Sequence, residues 1–344
     1  MTDAKATFGA TFGEAVEDFF FRPTSAHSLA LIRIATGLMI AYIHLVWMLN
    51  LPSFVGPDAL LNNSTWRALH HGPVPDFKWT YMAQTDSMTF AWCHELFACL
   101  LGLLLAMGLA TRAVSLLAWL TTLMMTHRMT GMLFGLDQIT IMLAMYLCVA
   151  RPGNVWSLDA WLCNRFSHWF DERSWLRRVL GVPAFGGSEL PACWTNTLAT
   201  RMIQLHLCVV YFFGGIGKLR GESWWDGSAM WYSVAAYEYQ SLDMTWTGHL
   251  PMLSSMATHL TLFWEVTYFA AIWSRWTRPW TMAIALMVHG GIALFLGMVT
   301  FGGMMIVANL AFVSPALCQH WMSVKARASN DHPGGRGGLY RPSV

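Results

Sequence analysis

Charge is what this sequence lacks most. Charged residues make up 12% of its 344 residues, against about 25% in an ordinary soluble domain, so it has too few to cover a large water-facing surface. Nucleotide- and hydrolase-type signatures are missing too: the chain contains no GxGxxG, no Walker loop and no GxSxG elbow, which removes the sequence basis for the reactions built on those turns. Its seven cysteines form no CxxC and avoid both large loops read below as extracytoplasmic, so neither structural disulfides nor a thiolate metal centre is expected. The histidines show no HxxxH or HxxEH within an apolar segment, and no metal is predicted. Residues 1–26 have no apolar run ending in small residues, so no cleavable signal peptide is expected. The net charge of +2 comes with no basic stripe interleaved with aromatics, and no nucleic-acid partner is expected.

Apolar residues are abundant instead. They reach 55%, and the mean hydropathy is +0.42. At about 20 apolar residues per crossing, the chain reads as an all-α, polytopic membrane bundle of about eight spans near 28–49, 89–109, 112–127, 132–150, 196–217, 254–274, 279–297 and 301–318. On that reading one side of the membrane collects fourteen Lys and Arg residues and the other five, namely Arg67, Lys78, Arg128, Lys218 and Arg220. The positive-inside rule then makes both termini cytoplasmic and the 50–88 and 218–253 loops extracytoplasmic. The expected location is a bacterial inner membrane, with the lipid bilayer as the principal partner.

Three regions follow. Residues 1–26 form a cytoplasmic segment with an amphipathic helix over 8–21, residues 27–318 form the transmembrane domain, and residues 319–344 form a polar, Gly-rich and basic tail expected to be disordered. The tryptophans and arginines of 157–179 suggest a second interfacial helix. No internal repeat is evident, which argues against transporters built from duplicated halves.

Polar residues inside apolar spans are costly unless paired, so each one present needs a partner or a role. Here they include Arg33, Glu95, Asp137, Arg201, Gln204, His206, His259, Glu265 and His289. Arg33 and Arg201 are expected to form structural ion pairs with Asp137 and Glu95. Lys218 is the most informative, because it follows the apolar stretch 202–217, where desolvation disfavours an ammonium and favours a basic amine. The competing reading is a lysine reaching to the interface. At 100° per residue Gln204 and Tyr211 lie within about 40° of Lys218, with Gly214 and Gly215 about 40° and 60° to either side. One face thus combines polar groups with missing side chains, which would admit a flat ligand from the lipid or let helices pack closely.

Several segments resemble the membrane domain of vitamin K-dependent gamma-glutamyl carboxylase and its bacterial relatives, the horizontally transferred transmembrane domain family. They are RPTSAHSLALIRIATG at 22–37, WSLDAWL at 156–162, VYFFGGIGKL followed by WWDGSAM, and His289 ahead of LFLGMVTFGGMM. These motifs fall within residues 20–318 in the family's order. The resemblance implies that Lys218 is the base that deprotonates a reduced, vitamin K-like quinone, that oxygen then adds, and that the resulting alkoxide takes a γ-proton from glutamate before carbon dioxide adds. It implies His289 as a second catalytic residue, and the helical face of Lys218 then offers Tyr211, Gly214, Gly215 and Gln204 as the candidate quinone face. In the stretch RMTGMLFGL at 128–136, Met129 and Thr130 stand where the family has Asn-His. His127, about one helical turn away, is the candidate replacement. The family carboxylase also carries a large C-terminal extramembrane region, whereas 26 residues follow the last expected span here, which puts protein carboxylation in doubt. Two other readings remain open, a non-catalytic scaffold or partner subunit of a redox complex and a small-molecule carrier.

Overall fold

The computed structural model describes residues 2–70, 78–165 and 192–318. Among the described residues nine longer helices carry the architecture: α1 (Thr2–Phe21), α2 (His27–Leu49), α3 (Met88–Met107), α4 (Thr111–Arg128), α5 (Gly135–Val149), α6 (Trp194–Lys218), α7 (Pro251–Ala271), α8 (Arg278–Phe295) and α9 (Val299–Asn309). Among the described residues the sole β-type pairing is an isolated bridge between Thr24 and Cys193. The chain is therefore all-α.

Helices α2 to α9 stand where the eight crossings were expected, but membrane-spanning character is not uniform among them. Among the described residues three helices, α2, α3 and α6, are both long and apolar enough to cross a bilayer. Length and apolarity together thus mark three of the eight expected positions. Fifteen residues in α5 rise only about 22 Å at 1.5 Å each, less than a hydrocarbon core of about 30 Å. Helix α4 is long enough but includes Arg112, Thr121, Thr122, Thr126, His127 and Arg128. The expected interfacial helix over 157–179 is helical at Leu158–Arg165, and its remainder lies outside the described residues, as does the 319–344 tail.

Local chemistry explains the helix ends. The Ser87 hydroxyl caps α3 by accepting from the Phe90 amide at 3.3 Å, and Gly108, at φ 73°, supplies the left-handed residue that stops it. Asp159 caps α4 from a distant segment, accepting from the amides of Ala110 (2.7 Å) and Thr111 (2.8 Å) and from the Thr111 hydroxyl (2.6 Å). Helices α2 and α3 approach closely because Gly37 and Gly102 have no side chains. A Cβ on Gly102 would lie 2.7 Å from the Ala41 amide nitrogen and 2.8 Å from the Gly37 carbonyl oxygen. The central core joins α2, α5, α6, α7, α8 and α9 through residues such as Ile32, Leu143, Ile203, Tyr268, Ala285 and Met304.

The outer surface is apolar over long stretches. Leu45, Leu96, Leu100, Phe213, Phe263 and Leu286 are all exposed, far more apolar area than a water-soluble monomer presents. That surface is compatible with membrane insertion.

Candidate functional site

Helix α6 brings Lys218 to Glu265 of α7. The Lys218 ammonium donates to Glu265 Oε2 at 2.6 Å and to Oε1 at 2.9 Å, with 29% of the lysine side chain and 11% of the glutamate side chain exposed. Helix α7 runs on past the end of α6, and its N-terminal half is covered by residues 222–235. The Met230 amide donates to Thr258 Oγ1 at 3.0 Å, Thr258 Oγ1 donates to the Gly227 carbonyl at 3.0 Å, and His259 Nε2 lies 3.2 Å from the Trp225 carbonyl. Lys218 therefore faces the middle of α7 and is enclosed more deeply than its place at a helix end suggests.

A second polar group lies beside the first. Tyr211 Oη is 2.7 Å from His289 Nε2 and accepts from Asn309 Nδ2 at 2.9 Å, while Tyr268 donates to Asn309 Oδ1 at 2.6 Å. Since the Tyr211 oxygen accepts from Asn309, its one hydrogen is directed at His289 Nε2, and hydrogen-bond accounting places the imidazole proton on Nδ1. That Nδ1–H is buried and has no partner among the described residues. A buried donor without a partner costs about 1–3 kcal/mol, and such groups concentrate where a ligand or water completes the set.

The two glycines of the expected ligand face part company. A Cβ on Gly215 would meet Val266 Cγ2 at 2.8 Å and the Val266 amide at 3.1 Å, so this glycine permits close packing of α6 on α7. A Cβ on Gly214 would meet only Glu265 Oε2 at 3.8 Å and Lys218 Nζ at 3.9 Å. At Gly214, then, an added methyl would sit in ordinary van der Waals contact with the ion pair. Gln204 sits far from it, donating to the Ala311 carbonyl at 2.7 Å and accepting from Arg201 at 2.8 Å. Its assignment to a quinone face is corrected to a structural tie.

His127 also belongs elsewhere. Its Nδ1 lies 2.8 Å from the Trp79 carbonyl and its own carbonyl accepts from Trp66 Nε1 at 3.0 Å, so it fastens the 50–87 loop to the end of α4 and does not join the Lys218 group.

Neither arginine meets the expected acid. Arg33, fully buried, donates to the carbonyls of Leu105 (2.9 Å), Ala106 (3.2 Å) and Trp156 (2.6 Å). Arg201 donates to the Phe19 carbonyl at 3.0 Å and to Gln204, with its guanidinium 4.2 Å from the Phe19 ring centre. The physical reason is shared. Leu105, Ala106 and Phe19 belong to last turns of α3 and α1, where unpaired carbonyls and the negative end of the helix dipole receive a cation.

The acids are engaged in other ways. Asp137 accepts from the Phe134 amide at 2.8 Å at the start of its own helix. Glu95 lies between two imidazoles, 2.7 Å from His44 Nδ1 and 3.1 Å from His94 Nδ1. His94 Nε2 continues to Tyr81 Oη at 2.9 Å and His44 Nε2 to Thr122 Oγ1 at 3.1 Å. Burial and the nearby Glu95 push the Tyr81 phenol, on the loop ahead of α3, up to about 12, which leaves it a proton donor toward His94.

The expected cavity does not join Lys218, Tyr211 and His289 to the 127–137 segment. A cavity of about 810 Å³ is lined by Met129 and residues 134–137, with α2 and residues 238–241, 296–298, Thr300 and Phe301, but not by Lys218, Tyr211 or His289. Phe301 is the partition: it lines this cavity, and its ring centre stands 6.2 Å from that of His289, edge to face.

Sequence reasoning noted Glu265 as a polar span residue without giving it a partner, and it did not single out Asn309 or Tyr268. Glu265 is the lone acid of α7 and Lys218 the lone lysine of α6, a signal that could have joined them. Comparison with protein-family models, characterised proteins and solved structures finds no match.

Proposed function

We propose that this chain is a carboxylase-like integral membrane enzyme in which Lys218 and Glu265 act together as the base toward a quinol or similar lipid-soluble substrate at the extracytoplasmic side. The observation that carries this reading is the largely buried lysine–glutamate pair, together with a buried His289 nitrogen that has no partner among the described residues. As held, the lysine is a donor to both carboxylate oxygens. To serve as a base, the ammonium passes a proton to Glu265, giving a neutral amine beside a neutral acid. The amine then takes the hydroxyl proton of the quinol, leaving a quinolate anion next to the re-formed ammonium. The His289 Nδ1–H and the ammonium are the groups available to stabilise that anion. The motif resemblance supports the same role for Lys218, and the eight helices with a fourteen-to-five basic asymmetry support eight spans with both termini cytoplasmic.

The Lys218→Arg variant tests the reading. Arginine keeps the charge and the pairing with Glu265 but stays protonated. The purified variant is expected to keep its thermal stability and to lose oxygen-dependent turnover of a reduced quinone by about a hundredfold or more. Unchanged turnover would leave the pair as a clamp between α6 and α7, the scaffold reading, which is favoured by the mutual satisfaction of the two charges. Reporter fusions test the topology: a C-terminal fusion active only on the extracytoplasmic side would refute the eight-span arrangement.

A further inference from the structure

The cavity behind Phe301 has a chemistry of its own. Its wall presents the aromatic side chains of Tyr42, Trp47, Phe54, Tyr239 and Phe301, together with two carboxylates, Asp137 and Glu238. Among the described residues no lysine, arginine or histidine lines it. Its volume of about 810 Å³ falls in the range of small-molecule sites, about 300–1,000 Å³. Tyr42 and Val46 on its rim are exposed on the apolar outer face of α2, as is Phe134 beside α5, so a ligand with an apolar body can approach from the lipid side.

We propose that this cavity binds a lipophilic organic cation, a quaternary or protonated amine carrying an apolar body. Ring faces attract such a cation through their quadrupoles, and the carboxylates supply a field of one sign. The two acids contribute unequally. Asp137 accepts an amide at the start of α5, where the positive end of the helix offsets part of its charge. Glu238 is exposed and belongs to no helix, so it carries the larger share. A zwitterionic phospholipid headgroup brings the same ammonium with a phosphate a few atoms away, and the lining offers that phosphate no basic partner. The site therefore favours a free cation. This assignment is independent of the Lys218 reaction.

The test compares benzyltrimethylammonium with neopentylbenzene, its uncharged carbon isostere, by equilibrium dialysis against the full-length protein in nanodiscs, with empty nanodiscs as the blank. The cation is expected to bind about tenfold or more tightly than the isostere, as one or two cation–π contacts and a carboxylate imply. Glu238→Gln is expected to weaken cation binding about three- to tenfold, and Asp137→Asn, which keeps the helix cap, to weaken it less. The isostere's affinity should not change in either variant. Equal binding of the two compounds, no binding of the cation, or a cation affinity indifferent to both substitutions would each overturn the proposal. Phosphocholine binding as tightly as benzyltrimethylammonium would overturn the preference for a free cation and assign the cavity to a lipid headgroup.

Discussion

Two glutamates sit among apolar helices in this protein, and their surroundings differ in kind. Glu95 is fully buried, and both of its oxygens are held by imidazoles whose far nitrogens reach Tyr81 and Thr122. The Thr122 hydroxyl donates to the Ala118 carbonyl at 2.7 Å, so it accepts from His44 Nε2 and fixes that ring. Each hydrogen-bonding nitrogen and oxygen of this group has a partner, which leaves no position for a substrate. Glu265 has one charged partner, that partner is partly exposed, and His289 Nδ1, across the Tyr211 hydrogen bond, has no partner among the described residues. A buried polar group that is fully satisfied serves structure, whereas one with an orphan donor nearby is available for chemistry.

Removing Glu95 should give the largest effect. Glu95→Ala leaves two buried imidazoles without their shared acceptor and is expected to lower stability by about 3–5 kcal/mol, read as a drop in the thermal unfolding midpoint of the detergent-solubilised protein. A loss below about 1 kcal/mol would erase the contrast between the two sites. Gly215→Ala comes next, because the added methyl would meet the Val266 backbone and side chain. Overpacking of that sort is expected to cost about 1–3 kcal/mol.

Uncoupling Lys218 from Glu265 should be milder. A double-mutant cycle with Lys218→Met and Glu265→Gln is expected to give a coupling of about 1 kcal/mol, since exposure of the lysine screens the pair. A coupling near that of a closed buried pair would make Glu265 a second structural glutamate. Gly214→Ala should disturb stability least, within about 0.5 kcal/mol, while setting a methyl against the pair. Quinol turnover that falls in Gly214→Ala with unchanged melting would sharpen the distinction between its place beside the pair and the packing role of Gly215.

Much of the molecule was legible from residue order. The apolar runs located all eight helices α2 to α9, because helical periodicity and hydrophobic length are local properties. Lys218, Tyr211 and His289 were singled out because a cation or imidazole in an apolar segment is costly enough to require company, and each has a polar partner, Glu265 for Lys218 and one another for Tyr211 and His289. The pairing of charges was not legible. Arg33 and Arg201 were matched to acids by sign alone, but the carbonyls of helix ends form an acceptor that does not show as a charged residue in the sequence.

Sequence by itself thus determined the helical class, the segments that form helices and the inventory of polar groups needing partners. Tertiary structure alone decided which partners they found: Lys218 with Glu265, Glu95 with two histidines, and the arginines with helix ends. It also placed Phe301 between the Lys218 group and the acidic, aromatic cavity. The physical reason is range. Helix formation follows from neighbours a turn apart, whereas a contact between positions 218 and 265 depends on how far α7 extends past the end of α6, and no spacing within either helix encodes that offset.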